Sequence, residues 1–254
     1  MTIRQFCDMM EQVAPKALAW ERDRIGLLIG TERTEIRRVL VALDLTVEVA
    51  EEAIAGKYDL VLTHHPIFWE PVTSIDPYRH DTAAAYRLIR HGIGMFAAHT
   101  NLDAAPGGVN DVFAALLDLQ NVRPLPPENL GRFGTLRGQM PFRTFVEICE
   151  NALHTHARIV GNPDDLISTV AVIGGAGGGD VSFVKDVGCD AFVTGEMKHN
   201  QALEASYLGL HCCVLGHYET ENIVLKPLIS RLQTFGFDVQ YDLTQSGNAP
   251  MPCP

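Results

Sequence analysis

The segment at residues 60–70, LVLTHHPIFWE, constrains the fold more than any other part of the chain. Residues 60–62 form the short apolar run that is typical of a buried strand, and His64 and His65 follow almost at once. Pro66 cannot continue a hydrogen-bonded ladder and favours an extended conformation for His65. Because neighbouring side chains of an extended chain point to opposite sides, two adjacent imidazoles suit two targets better than one, such as the two ions of a metal pair.

Strand and helix patterns alternate through the first half of the chain. The predicted strands are residues 38–43, 60–62 and 93–98, and the predicted helices are residues 2–13, 47–55, 82–90 and 110–117. This alternation predicts an α/β fold with a parallel sheet and right-handed crossovers, and ligands of such sheets collect at the carboxyl ends of the strands. The polar side chains that the sequence puts at those ends are Asp44, His64, His65, His99 and Asp103.

A further apolar strand pattern at residues 211–215 leads into Gly216 and the segment HYETE. His217 and Glu221 are four residues apart, so on a helix they share one face. Alone, this pair is typical of an ordinary surface contact. With the strand-end residues it gives three imidazoles and two carboxylates, about the set that two bridged ions need, and the predicted metal ligands are His64, His65, Asp103, His217 and Glu221. A donor set without thiolate favours Zn, Fe, Mn, Co or Ni over Cu(I).

Four further polar residues are candidates for supporting roles. His99 could be a ligand, a partner of a ligand or a general base, and Asp44 is best interpreted as a carboxylate that orients a ligand histidine. Glu196 and His199 follow a predicted strand at residues 191–194 and could be acid–base groups or solvated loop residues. His99 and Glu196 are the predicted catalytic pair.

The run at residues 174–179, GGAGGG, lies between a predicted strand and a predicted helix. That context suits the cradling of a phosphate by backbone N–H groups. The run does not match GxGxxG, however, and it lacks the lysine of a P-loop. A tight turn with close backbone packing is the preferred interpretation, and phosphate binding is the alternative.

Composition limits the partners and the compartment. The formal net charge of −11 argues against non-specific nucleic-acid binding, which needs a basic surface. No apolar run reaches the length of about 18 residues that a membrane span needs, and the N-terminus lacks the apolar core of a signal peptide. The six cysteines include no CxxC pair and are most simply the reduced thiols of a cytoplasmic protein, with Cys212 and Cys213 inside an apolar run that indicates core packing.

The chain also shows a change of organisation near its middle. Residues 121–129, NVRPLPPEN, hold three prolines, so they are predicted to be an irregular linker before a second α/β segment. In that segment a single helix is predicted at residues 219–235. The tail at residues 245–254 is predicted to be disordered.

Taken together, the motifs resemble those of the YbgI/Nif-like dinuclear metal-centre family, many of whose members carry the name GTP cyclohydrolase 1 type 2. The resemblance is carried by Thr63-His64-His65-Pro66, His99-Thr100-Asn101-Leu102-Asp103, Gly195-Glu196 and His217-Tyr218-Glu219-Thr220-Glu221, and it runs from Trp20-Glu21 to the helix after Glu221. The chain departs from the family at Asp23-Arg24-Ile25-Gly26-Leu27, where members often have Asp-Asn-Val-Gly-Leu, and at Asn200, where many members have His.

The resemblance implies a Nif-like fold of two α/β domains with mostly parallel sheets flanked by helices, assembled as a toroidal homohexamer. It implies a discontinuous metal-binding domain, residues 1–125 plus 212–254, with a second domain inserted at residues 126–211. Two divalent ions per subunit are implied, one held by His64, Asp103 and Glu221 and the other by His65, His217 and Glu221, which bridges.

The leading functional hypothesis is a metal-dependent hydrolase, with GTP as the substrate that the resemblance suggests and formate and dihydroneopterin triphosphate as products. The alternative is a non-enzymatic metal-binding assembly factor, metal store or scaffold. A ring that encircles nucleic acid is the third hypothesis, and the acidic charge argues against it. The expected partners are therefore further copies of the chain and a small molecule such as a nucleotide, without a membrane.

Overall fold

Strands and helices alternate along most of the chain in the computed structural model, which describes residues 1–247. The helices, in chain order, are α1 (Ile3–Val13), α2 (Val47–Ala55), α3 (Ala83–Arg90), α4 (Thr100–Ala104), α5 (Val109–Leu116), α6 (Phe142–Leu153), α7 (Val181–Asp186), α8 (His199–Leu208), α9 (His217–Asn222) and α10 (Leu225–Gln233). The strands are β1 (Gly26–Ile29), β2 (Arg38–Ala42), β3 (Leu60–Thr63), β4 (Gly94–Ala97), β5 (Gln120–Pro124), β6 (Arg132–Pro141), β7 (Arg158–Val160), β8 (Leu166–Ile173), β9 (Ala191–Thr194), β10 (His211–Val214) and β11 (Gln240–Leu243).

Capping residues in the sequence explain where the first helices begin and end. The Thr2 hydroxyl accepts the Gln5 N–H while the Gln5 side chain accepts the Thr2 N–H, a capping box that starts α1 at the predicted position. Thr46 accepts the Val49 N–H at the start of α2, and Gly56 follows its last residue. These local signals are therefore enough to give the bounds of both helices.

The chain divides into two units, and the first consists of residues 1–106 together with the segment that begins at Leu225. Its sheet has the strand order β1-β4-β3-β2-β11, in which β4, β3, β2 and β11 run parallel and β1 is antiparallel to β4. The carboxyl ends of β2, β3 and β4 therefore share one edge, and Asp44, His64 and His99 follow those ends.

The second unit contains residues 107–224 and a sheet with the order β5-β6-β8-β9-β10-β7. Only the pairings β8–β9 and β9–β10 are parallel there, so the prediction of mostly parallel sheets is right for the first unit and wrong for the second. A parallel pair needs a crossover of about a dozen residues or more, and the loop from β5 to β6 is too short for one.

The boundaries of the units differ from those expected, which were 125/126 and 211/212. The first break falls at 106/107 because α5 belongs to the second core, where Phe113 is buried with Phe142 and Phe145. The second break falls at 224/225 because β10 pairs with β9 and β7. The second unit is an insertion in a discontinuous first unit.

Two predicted features of the second half are wrong. Residues 121–129 are not wholly irregular, since β5 occupies residues 120–124 as the edge strand of its sheet, and an edge tolerates Pro124 at its end. The single helix predicted at residues 219–235 is interrupted between α9 and α10. Pro227 explains the break, because proline lacks an N–H and clashes with the carbonyl four residues earlier.

Cysteine burial agrees with the prediction of core packing. Cys149, Cys189, Cys212 and Cys213 are free, buried thiols, and burial raises the pKa of Cys189 and of Cys212 to about 12. Cys253 and the rest of the predicted disordered tail from residue 248 lie outside the described residues. The tail's first residues, Gln245 and Ser246, donate backbone N–H groups to Glu52, so disorder does not begin at residue 245.

Among the helices that the structure describes, each is too short or too polar to cross a membrane.

Candidate metal centre

The two adjacent histidines follow β3 and lie close together with their rings turned apart. Their ring centroids are 5.0 Å apart, and the ring planes differ by 49°. His64 is buried, with Nδ1 2.9 Å from the Ala98 carbonyl oxygen, while His65 is half-buried, with Nδ1 2.8 Å from Asp44 Oδ1. Both oxygens can only accept a hydrogen bond, so in a neutral ring Nδ1 carries the proton. Nε2 is then the ring atom that could bind a metal.

His99 completes a triad of imidazoles within the first unit. Its ring centroid lies 5.2 Å from that of His64 and 5.6 Å from that of His65. One ring nitrogen from each of the three histidines can be chosen so that all lie within 4.8 Å of one another. We call His64, His65, His99 and Asp103 the first-unit cluster.

Asp103 reaches this cluster through α4, a short helix that the sequence did not predict. His99 precedes the helix, and the Leu102 and Asp103 N–H groups donate to the His99 carbonyl. This turn brings Asp103 Oδ1 to 3.6 Å from His64 Nε2, and the Asp103 side chain is 9% exposed. Buried carboxylates are normally paired or coordinate a metal.

Asp23 is a site residue that its sequence context did not reveal as one. Its carboxylate contacts His99 Nδ1 at 2.9 and 3.0 Å and accepts from the N–H and hydroxyl of Thr100. Burial disfavours the charge of Asp23, but these hydrogen bonds outweigh it and hold the pKa of the carboxyl at about 2. Asp23 therefore remains ionised and fixes the His99 ring; its place in the Asp-x-x-Gly-Leu motif was the only available signal.

The second unit contributes a histidine and a carboxylate from α9. As the i, i+4 spacing predicts, His217 Nε2 lies 3.0 Å from Glu221 Oε2, and Glu221 is 4% exposed. The other ring nitrogen, Nδ1, lies 3.2 Å from Glu196 Oε1. Glu196, predicted as an acid–base group, is thus in contact with the ring of a predicted ligand. His199, the other residue considered there, is exposed in the first turn of α8.

The glycine run packs closely against this second-unit pair. A Cβ at Gly175, where φ is +62°, would lie 2.0 Å from Glu221 Oε1 and 3.0 Å from His217 Nε2. Four N–H groups of the run donate to protein acceptors: Gly174 to Asn110, Gly175 to Thr220, Gly177 to Thr194 and Gly178 to Glu196. These groups are already engaged, so the geometry favours close packing over phosphate cradling.

Clustered His, Asp and Glu residues could hold metal ions, and in the first unit His64, His65 and His99 form one such group. Ligands about 2.0–2.2 Å from one ion lie roughly 2.8–3.6 Å apart in octahedral or tetrahedral geometry. The His64–Asp103 and His217–Glu221 pairs, at 3.6 and 3.0 Å, are compatible with that spacing. In His64, with the proton on Nδ1, the Nε2 lone pair lies near a carboxylate oxygen of Asp103, an arrangement that a cation or a second proton would stabilise.

Comparison with known proteins agrees with this description of the fold. The family model described as Duf34/NIF3 (NGG1p interacting factor 3) matches residues 1–249. The chain belongs to the Duf34/NIF3 family. This confirms the resemblance inferred from the motifs.

Relatives of this Duf34/NIF3 chain are similar over most of its length. A Methanocaldococcus jannaschii protein named GTP cyclohydrolase 1 type 2 homolog is 32% identical over 89% of this chain and 92% of its own. A Streptomyces coelicolor protein of the same name is 33% identical over 82% of this chain and 76% of its own. The crystal structure of a Bacillus cereus protein related to NIF3 superimposes with a TM-score of 0.93 at 25% identity, covering 99% of both chains.

Proposed function

We propose that the protein is a metal-dependent hydrolase with two divalent ions per subunit, chosen from Zn, Fe, Mn, Co or Ni. His64, Asp103 and Glu221 would hold one ion, and His65, His217 and Glu221 the other, with Glu221 as the bridge. The donor set is nitrogen and oxygen only, as these metals accept.

One observation carries the proposal: each of the three proposed ligand histidines has Nδ1 against an oxygen acceptor. The acceptors are the Ala98 carbonyl for His64, Asp44 for His65 and Glu196 for His217. Metal-binding histidines typically donate their second N–H in this way, which fixes the tautomer and the ring orientation. Three rings held in this way support ligation through Nε2.

The reaction that this site suits best is hydrolysis. A bound pair of divalent ions lowers the pKa of water and supplies a nucleophile near neutral pH. His99, held by ionised Asp23, is the proposed proton carrier, because its ring lies beside those of His64 and His65. The contact of Glu196 with His217 favours a positioning role for that carboxylate over the acid–base role predicted from sequence.

The names of the relatives support GTP as the candidate substrate. Water and GTP would give formate and dihydroneopterin triphosphate, which conserves all atoms.

We further propose that the chain assembles as the toroidal homohexamer implied by the family resemblance. Light scattering would then give about six times the 27.9 kDa chain mass.

Formate release from GTP by metal-loaded and chelated protein tests the function. We expect release only with metal, and a loss of at least about 100-fold in His65→Ala, since a missing ligand disrupts the site. His156→Ala is the matched control, because the His156 side chain is 78% exposed. The hydrolase proposal would be overturned if the protein binds metal tightly but releases no formate and shows no chelator-sensitive turnover of other nucleotides or phosphoesters. The assembly-factor alternative would then remain.

A further inference from the structure

Trp69 borders the first-unit cluster and remains largely exposed. Its ring centroid lies 5.1 Å from that of His99, with the ring planes at 82°, and 54% of the residue is accessible to solvent. A perpendicular ring contact uses at most one of the two faces of an indole. Trp69 therefore offers an aromatic face next to the imidazoles.

An arginine is fixed beside this tryptophan. Arg24 Nε donates to the Trp69 carbonyl oxygen at 3.2 Å, and the Arg24 side chain is exposed. Its backbone N–H donates to Asp23, the residue that holds His99. In a chain with a net charge of −11, this guanidinium places a local positive charge at the Trp69 backbone.

We propose that Trp69 and Arg24 form a recognition site for a planar heterocycle that carries phosphate. The indole stacks on the heterocycle, as aromatic side chains do on every base, and the guanidinium attracts the phosphate. The site rests on the proposed function, since it would hold a nucleotide beside His64, His65 and His99. It assigns recognition of the base and of the phosphate to two separate residues.

Tryptophan fluorescence isolates the stacking step, because the chain has two tryptophans. Trp20→Phe leaves Trp69 as the sole indole, and Trp69→Phe leaves Trp20, which is similarly exposed at 51%. In the metal-loaded protein we expect GTP and guanosine to quench Trp20→Phe, and inorganic triphosphate to leave it unchanged. Quenching confined to Trp69→Phe would overturn the assignment.

Calorimetric affinities separate the two residues. Trp69→Ala should weaken both GTP and guanosine about tenfold, while Trp69→Phe restores most of the affinity because it keeps an aromatic face. Arg24→Gln should weaken GTP several-fold and leave guanosine unchanged. Equal affinities in Trp69→Ala and the unmodified protein, with thermal unfolding showing that both are folded, would overturn the site.

These outcomes can be told apart from failure of the hydrolase itself. Guanosine binding needs no turnover, so Trp69-dependent binding without formate release would refute the reaction but keep the recognition site. Formate release that is insensitive to Trp69→Ala would keep the hydrolase reaction but refute the recognition site.

Discussion

Gly175 shows how a single missing side chain can shape a site. Its φ of +62° and the 2.0 Å that would separate an added Cβ from Glu221 Oε1 mean that only glycine fits without moving the carboxylate. We expect Gly175→Ala to weaken metal binding at least about tenfold by displacing the proposed bridge, as losses around a metal ligand typically do.

Gly179→Ala is the matched control for this prediction, since its added Cβ would meet only Gln201 Nε2 at 3.8 Å. Titration calorimetry with Zn²⁺ or Mn²⁺ measures both variants. Equal affinities in the two would show that Glu221 is not positioned by the close approach of Gly175.

Asp44 is the second residue with a predicted effect on metal binding, because its carboxylate contacts the ring of His65. Removing the carboxylate in Asp44→Ala should reduce metal affinity about 10- to 100-fold, because the orientation of the imidazole is lost. Asp44→Asn keeps an oxygen acceptor and should lose less. Competition against a chromogenic chelator ranks the three proteins, and an unchanged Asp44→Ala would contradict this role.

At the scale of elements, Asp190 ties two neighbouring parallel strands together. It precedes β9, and its Oδ2 accepts from the Ser168 N–H and hydroxyl and from the Thr169 N–H of β8, at 2.8–2.9 Å. Burial raises the pKa of Asp190, but these hydrogen bonds outweigh it and leave the pKa below its usual value of 3.8. The carboxylate therefore stabilises the fold above that pH, and the stabilisation is lost as the pH falls through the lowered pKa.

Asp190→Asn should accordingly lower the free energy of unfolding by about 1 kcal/mol at pH 7, a value that allows for partial exposure. The difference from the unmodified protein should shrink below about pH 3.8. Urea unfolding across the pH range measures it, with the exposed Asp186→Asn as control. A difference that does not change with pH would point to packing instead of charge.

At the scale of the whole molecule, metal binding and folding should be linked. An ion that binds only the folded chain stabilises it by about 2.7 kcal/mol at 100 times its Kd, which corresponds to a rise in Tm of several degrees for a chain of this size. We expect EDTA to lower Tm and Zn²⁺ or Mn²⁺ to restore it. In His217→Ala the change in Tm on adding EDTA or metal should be much smaller than in the unmodified protein. Equal changes in the two proteins would show that the stabilising ion binds elsewhere.

The sequence by itself determined the parts that depend on local patterns. Apolar runs and caps located α1, α2, β3 and β9, and a parallel sheet requires that the residues after β2, β3 and β4 share an edge. The i, i+4 spacing of His217 and Glu221 likewise fixed their contact, because helix geometry is the same wherever a helix forms.

Only the tertiary structure decided which residues hold the predicted histidines in place. Asp23 meets His99 from 76 residues away in the chain, and Asp44 meets His65 from 21 residues away. The close approach of Gly175 to Glu221 and the position of Pro124 at a sheet edge also depend on how separate elements pack, which a local sequence pattern does not show. Spacing along the chain fixes contacts within one helix or strand, whereas partners from different elements are set by how those elements pack, and packing depends on the whole set of buried side chains.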